Sequence, residues 1–222
     1  MSLVLAVVVR NIRNVVCQKK IINMNEKLGS HNSWSFGKTE WYIPAFTCRC
    51  QKLNIQEQYN RGIRLFDLRI RFKDYKARVA HGLAIFDVNI DEDLAWLNDK
   101  KDCYVRVLLE YNAKPKHFKL LCALFRNVCG YMKMSYQNIT FFGGYAKWNH
   151  NIKIYNFNTE EPKLIDRYSS TTSWFDIKNK FLAILDDWWP WLYAKFHNKK
   201  NYAEFVENNQ GEWLFIDFVD ML

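Results

Sequence analysis

The chain has 222 residues, 49% of them hydrophobic, 17% aromatic and 25% charged. With eight glycines, four prolines and no low-complexity run, it is neither disordered nor fibrous, and its length suits one compact domain with a sizeable core. The formal net charge of +9 favours anionic partners, lipid head groups or nucleic acid, without choosing between them; the basic residues are spread as on a solvated surface.

Taken in order, residues 3–9 (LVLAVVV) form the one strongly apolar N-terminal run, cut short by Arg10 and Arg13. It falls well below the roughly 20 apolar residues of a membrane span. No basic stretch precedes it and no clear cleavage site follows. It is read as a packing strand or an upstream extension of a protein starting near Met24, so residues 1–23 are set apart from a domain over 24–222. A first strand is expected to end near Gly29-Ser30-His31-Asn32-Ser33. Ile55–Arg61 predicts a helix, and Ile63–Phe72 (IRLFDLRIRF) a strand of alternating character. Asp91–Asn98, opened by carboxylates, and Lys116–Val128, with Phe118, Leu121, Cys122 and Phe125 at helical spacing, predict two more helices. Tyr104–Leu109 (YVRVLL) reads as another such strand, and Phe181–Leu185 and Trp213–Val219 as apolar strands of a buried parallel sheet. Strands alternating with helices indicate an α/β fold, and a barrel is compatible with the pattern.

The six cysteines show no paired CxxC spacing for zinc, and a chain of this size needs no disulfide framework. Free thiols in a reducing compartment are expected, so a cytoplasmic setting is favoured, with secretion left open.

Three segments carry chemistry: Gly29–Ser33 around His31, Gly62–Arg69, and Ala80-His81-Gly82-Leu83. In the second, side chains two apart share a face. Leu65, Asp67, Arg69 and Arg71 therefore point one way, and Phe66, Leu68, Ile70 and Phe72 the other. Charges on such a face are costly to bury without partners. Alone, Asp67 and Arg69 read as an ion pair tying two strands, and each histidine as a hydrogen-bonded loop residue. His117, His150 and His197 sit among polar residues as surface positions.

In order and spacing, however, SHNS, FDLR and HGL resemble the X region of phosphatidylinositol-specific phospholipase C, most closely its bacterial, calcium-independent branch. The resemblance covers about residues 27–87 and includes the approach Gln56-Glu57-Gln58; Val105–Glu110 fits more loosely. Leu214–Phe218 matches the family's closing strand, and 112–210 does not align. The resemblance implies an irregular, trimmed TIM-type (βα)8 barrel without the usual closing helix, its site at the C-terminal ends of the strands. It implies a phosphorus–oxygen lyase in which the inositol 2-hydroxyl attacks the adjacent phosphorus, giving diacylglycerol and inositol 1,2-cyclic phosphate. His31 would be the general base, Asp217 the carboxylate orienting it, and His81 the general acid. Arg69 would hold the phosphate oxygens, with Asp67 bracing it.

The pattern departs from the bacterial branch at Asn32, where those enzymes carry aspartate and the calcium-dependent animal branch carries asparagine. Glu110 also resembles a calcium-ligand position. Asn32, Asp67 and Glu110 make calcium the less favoured alternative to no cofactor, since Arg69 would put a cation where the metal sits. Asn32, Glu110 and Arg71 are then substrate-binding candidates. Asp186-Asp187 stand where the bacterial enzymes place basic residues, so the head group is open. Trp188, Trp189 and Trp191, in a loop after a predicted strand, are candidates for contact with the lipid surface; they otherwise cap the core. A monomer working at a peripheral membrane surface is expected. The competing readings are a related barrel enzyme on another phosphodiester and an inactive module binding anionic lipid or protein. Nucleic-acid binding rests on composition alone and is not expected.

Overall fold

The computed structural model describes residues 27–40, 44–110, 117–147, 149–166, 190–208 and 211–222. Among these residues ten strands form one sheet: β1 (Leu28–Ser30), β2 (Lys38–Glu40), β3 (Ile63–Lys73), β4 (Lys76–His81), β5 (Ala84–Asp87), β6 (Cys103–Leu109), β7 (Ile139–Ala146), β8 (Asn149–Lys153), β9 (Leu164–Asp166) and β10 (Trp213–Ile216). Six run parallel in the order β9-β10-β1-β3-β6-β7. The far end of β3 turns back through antiparallel β4 and β5 to β2, and β8 lies antiparallel on β7. The sheet is thus mixed, where the apolar strand pattern pointed to a parallel one. Among the described residues it is an open path.

Each face of β3 has its own core, as the alternation in IRLFDLRIRF requires. Phe66, Leu68 and Ile70 join Val105, Val107 and Leu109 of β6 in the main core. Helices cover that face: α1 (Ala45–Cys48), α2 (Ile55–Asn60), α3 (Ile90–Asn98), α4 (Phe118–Ser135) and α5 (Pro190–Asn208). A capping box opens α2, in which Asn54 accepts from the Glu57 N–H and Glu57 from the Asn54 N–H, both at 2.9 Å. Asn89 caps α3, whose first turn carries Asp91, Glu92 and Asp93. α4 runs to Ser135, past the expected end at Val128, because Cys129 and Met132 continue the buried stripe of Cys122 and Phe125.

On the opposite face, Leu65 of β3, Phe142 of β7, and Trp213 and Phe215 of β10 form a second cluster, with Tyr104 of β6 and Leu164 of β9. Three strands lie between β7 and β10 in the sheet, so a shared cluster means the sheet curls around it. Gly29 lets β1 follow this curl. A Cβ there would sit 2.7 Å from Phe215 Cδ2 and 3.3 Å from Leu65 Cβ, so no larger residue fits without displacing an interior ring. The five described cysteines are buried and form no disulfide with one another. No described helix is long and apolar enough to cross a membrane.

Residues 1–23, the predicted strand Phe181–Leu185, Asp186-Asp187, Trp188 and Trp189 lie outside the described residues. Trp191, expected in a loop, stands in the first turn of α5.

Candidate active site

Above the apolar plug of the curled sheet lies a buried polar layer, built on one edge by the turn after β1. The serines of SHNS-Trp34-Ser35 hold that turn together. Ser33 Oγ donates to Ser30 O at 2.7 Å and accepts from the Asp67 N–H at 2.7 Å. Ser35 Oγ receives the N–H groups of Cys50 and Gln51 at 2.9 and 3.1 Å. Gln58, from the stretch preceding GIRLFDLR, is fully buried and donates to Ser33 O at 2.8 Å. Gln51 Nε2 donates to both His31 O and Ile216 O, at 2.9 and 3.1 Å, fastening the turn to β10.

These contacts bring His31 to Asp217, with Nδ1 and Oδ1 2.6 Å apart. Asn198 of α5 fixes the other end of the pair, donating to Asp217 O and Phe218 O at 2.8 and 3.1 Å. The second ring nitrogen, Nε2, meets Arg69 Nη2. A guanidinium N–H is always a donor, so Nε2 is the acceptor and the ring proton sits on Nδ1, facing Asp217. Burial first, then the charges of Arg69, His81, Arg106 and Lys147, hold the His31 imidazole well below its ordinary value. The ring is thereby neutral with its basic nitrogen Nε2 at the guanidinium, the form a general base needs.

Arg69 is itself aimed by Asp67. Asp67 Oδ2 accepts from Arg69 Nε at 2.9 Å and from the Asn32 N–H at 3.0 Å, while Oδ1 accepts from Arg106 Nε at 2.8 Å. Burial alone would push the Asp67 carboxyl up, but Arg106 and Arg69 outweigh it and hold it well below the usual carboxylate range. Arg106 was not legible as a site residue. It reaches Asp67 because β3 and β6 pair in parallel with Asp67 opposite Arg106.

His81 ends β4, its ring centroid 6.2 Å from that of His31 and its plane 87° from it. Its Nδ1 lies 2.8 Å from Cys48 O and so carries the proton, leaving Nε2 for exchange with a ligand. Burial and then Arg69 lower His81 to about 4, against the opposing pull of the Cys48 carbonyl; Lys147 lowers it further and Glu110 raises it. Gly82 follows at φ +59°, where glycine is favoured. Its N–H donates to Glu110 Oε1 at 2.7 Å and its carbonyl accepts from Arg71 at 3.1 Å. Lys147 joins Glu110 Oε1 at 3.1 Å.

The sequence-derived set thus meets in one place: His31, Asp67, Arg69, His81 and Asp217, with Asn32, Arg71 and Glu110 around them. Both side-chain polar atoms of Asn32 and Oε2 of Glu110 are buried without a hydrogen-bond partner among the described residues. Arg71 braces the Gly82 turn. Arg106, Lys147 and Cys50 complete the layer; the Cys50 thiol, fully buried, lies 3.6 Å from His81 Nδ1 and within 4.8 Å of an Asp217 carboxylate oxygen. Trp191 is 42% exposed with Lys195 against its ring, and His117 is exposed at the N-cap of α4.

No protein-family model and no curated protein matches this sequence. Solved structures match it in three dimensions. A Staphylococcus aureus phosphatidylinositol-specific phospholipase C, from work on modulation of its membrane binding, aligns at TM-score 0.56 and 15% identity over 88% of this chain and 86% of that one. A mutant of the same enzyme aligns at 0.55 and 14%, with the same coverage. The phosphatidylinositol-specific phospholipase C of Listeria monocytogenes aligns at 0.53 and 16%, over 88% of this chain and 89% of its own. The chain therefore has the mixed α/β, barrel-type fold of the bacterial phosphatidylinositol-specific phospholipases C.

Proposed function

We propose that this protein is a metal-independent lyase of phosphatidylinositol-type lipids. The observation that carries the reading is the ordered contact Asp217–His31–Arg69, with His81 facing His31 across the same buried layer. In the resting site Arg69 occupies His31 Nε2. When the phosphodiester enters, the guanidinium turns its fork to the non-bridging oxygens while Asp67 keeps Nε in place. Nε2 then takes the proton of the inositol 2-hydroxyl, whose oxygen attacks phosphorus. His81 gives a proton to the departing diacylglycerol oxygen, leaving inositol 1,2-cyclic phosphate. Arg69, Arg106 and Lys147 make the surroundings cationic, suited to the charge that builds on the phosphoryl oxygens. Asn32 and Glu110 hold unpartnered buried polar atoms for the ring hydroxyls, and Arg71 positions the turn between them and His81.

Calcium, which takes six to eight oxygens, fits this donor set poorly. Both Asp67 oxygens are engaged by donors, two of them guanidinium groups, which leaves Asn32 and a single Glu110 oxygen. The test is phosphorus NMR of phosphatidylinositol vesicles in EDTA, with His31→Ala and His81→Ala alongside. A cyclic phosphate signal lost in both variants supports the reading. Turnover only on adding calcium would make Asn32, Asp67 and Glu110 a metal site. No product in either condition would turn attention to another phosphodiester or to a binding module.

The active form needs His31 neutral and His81 protonated. With His81 lowered to about 4 in the free site, its protonated fraction falls as pH rises, so kcat/KM on a soluble substrate is expected to decline toward neutral pH. Glu110 raises His81 and Lys147 lowers it, so Glu110→Gln should move this limb to lower pH and Lys147→Met to higher pH. A limb that neither variant moves would remove His81 as the acid.

The lipid-facing surface is assigned to Trp188, Trp189 and Trp191. Supporting it, Trp191 and Phe196, 42% and 64% exposed, share the first half of α5 with exposed Lys195, Lys199 and Lys200. Trp191→Ala is expected to weaken binding to anionic vesicles several-fold in a sedimentation assay and to spare a water-soluble substrate. Equal loss on both would make Trp191 a packing residue.

A further inference from the structure

One buried side chain in the polar layer has no part in the reaction proposed above. Cys50 is fully buried, yet its thiol faces His31, His81 and Asp217 rather than the apolar core. A ring nitrogen of His31, Sγ of Cys50 and a carboxylate oxygen of Asp217 all lie within 4.8 Å of one another, and the three residues are 3%, 0% and 1% exposed.

We infer that His31, Cys50 and Asp217 form a binding site for a thiophilic divalent cation of the zinc class, and that filling it switches the protein off. Imidazole, thiolate and carboxylate are the donors zinc takes, with bonds of about 2.0–2.3 Å, so donors around a tetrahedral ion stand roughly 3.5 Å apart. To meet that spacing Nδ1 and Oδ1 of Asp217, now 2.6 Å apart, need to open by about 1 Å, and the widest pair of the trio to close by at most about 1 Å. The ion enters between Nδ1 and Asp217, where a proton now sits. The charges balance: the thiol proton is released, the thiolate and carboxylate neutralise the two charges of the metal, and imidazole stays neutral. Arg69 and Arg106 are already matched by Asp67, which lies between them and tempers their repulsion of a cation. Hard cations have no such claim on this trio, because a thiol is a poor ligand for calcium or magnesium.

Occupancy disables the base twice. With metal on Nδ1, the neutral ring carries its proton on Nε2, which is then no acceptor for a hydroxyl proton or for Arg69. Asp217 is also withdrawn from orienting the ring. The effect on turnover rests on the reaction proposed above; the binding does not.

Cobalt(II) added to the EDTA-stripped, full-length protein gives the direct readout. A thiolate-to-cobalt charge-transfer band that saturates at one equivalent, is displaced by zinc, and is absent in Cys50→Ser is the expected result. No band in the parent, or a band that persists in Cys50→Ser, overturns the site. X-ray absorption on the zinc-loaded parent guards against a variant that does not fold. One sulfur at about 2.3 Å is expected, and a shell of nitrogen and oxygen alone overturns the proposal. For turnover, zinc is expected to inhibit the parent and EDTA to restore it. The inhibition constant of Cys50→Ser, measured against its own zinc-free rate, should be at least tenfold higher; equal constants overturn the regulatory half. The cobalt band needs no turnover, so failure of the proposed reaction and failure of the metal site are read separately.

Discussion

Arg69→Lys is expected to lower kcat on phosphatidylinositol vesicles about a thousandfold, although the charge is kept. The guanidinium does two jobs from a fixed plane: Nε donates to Asp67 at 2.9 Å while Nη2 reaches His31. An ammonium on a flexible stem offers one nitrogen, which can sit at Asp67 or reach toward phosphate, but does not span both. The loss should fall mainly on kcat, since the fork matters most when charge gathers on the phosphoryl oxygens, and calcium should not restore it. A loss below tenfold would mean that a point charge suffices and that the planar geometry is unused.

Asp67→Asn is expected to be the most destabilising change in the layer, by about 3–5 kcal/mol. Asp67 is fully buried and is the shared counter-charge of Arg69 and Arg106, one of them 3% and the other 12% exposed at the side chain. Asparagine removes the charge, and its NH2 would point a donor at one of two guanidinium donors. For a chain of this length the melting temperature should fall by roughly 10 °C, read by circular dichroism. Adding Arg106→Met to Asp67→Asn should recover part of the loss, because it removes one of the orphaned cations. A melting temperature within about 2 °C of the parent would show that water reaches the layer and screens both guanidiniums.

Much of this was legible in β3. The period-two pattern of IRLFDLRIRF placed Asp67 and Arg69 on one face, opposite Phe66, Leu68 and Ile70, and the structure keeps them together on the face away from the main core. SHNS, likewise, forms the serine-braced turn that presents His31. Arg106, Lys147, Cys50 and Asn198 were not legible, because each enters through strand register or helix docking, which couple residues far apart in sequence. Nothing in YVRVLL says that its arginine stands opposite Asp67 until β3 and β6 are paired. The hairpin of β4 and β5 was hidden because its strands are short and turn at His81-Gly82, where the sequence carries no strand alternation. β7 was masked by Gly143 and Gly144, both at positive φ, which interrupt a strand pattern. The Trp191 segment read as a loop because its cluster of aromatics lacks a clean apolar stripe, whereas α5 is secured by buried Tyr193, Asn198, Asn201 and Phe205.

The pairing of His31 with Asp217 spans 186 positions, and β1, only three residues long, is held between β3 and β10. A partly made or partly folded chain therefore has no oriented base, whatever else it has assembled. Such distant contacts form slowly, because the entropy of closing the loop must be met first. The lyase chemistry proposed for this site is in this way tied to completion of the fold: under that reading a molecule that has yet to dock β10 meets a bilayer without cutting it, and the gain of activity during refolding should trail the gain of helix.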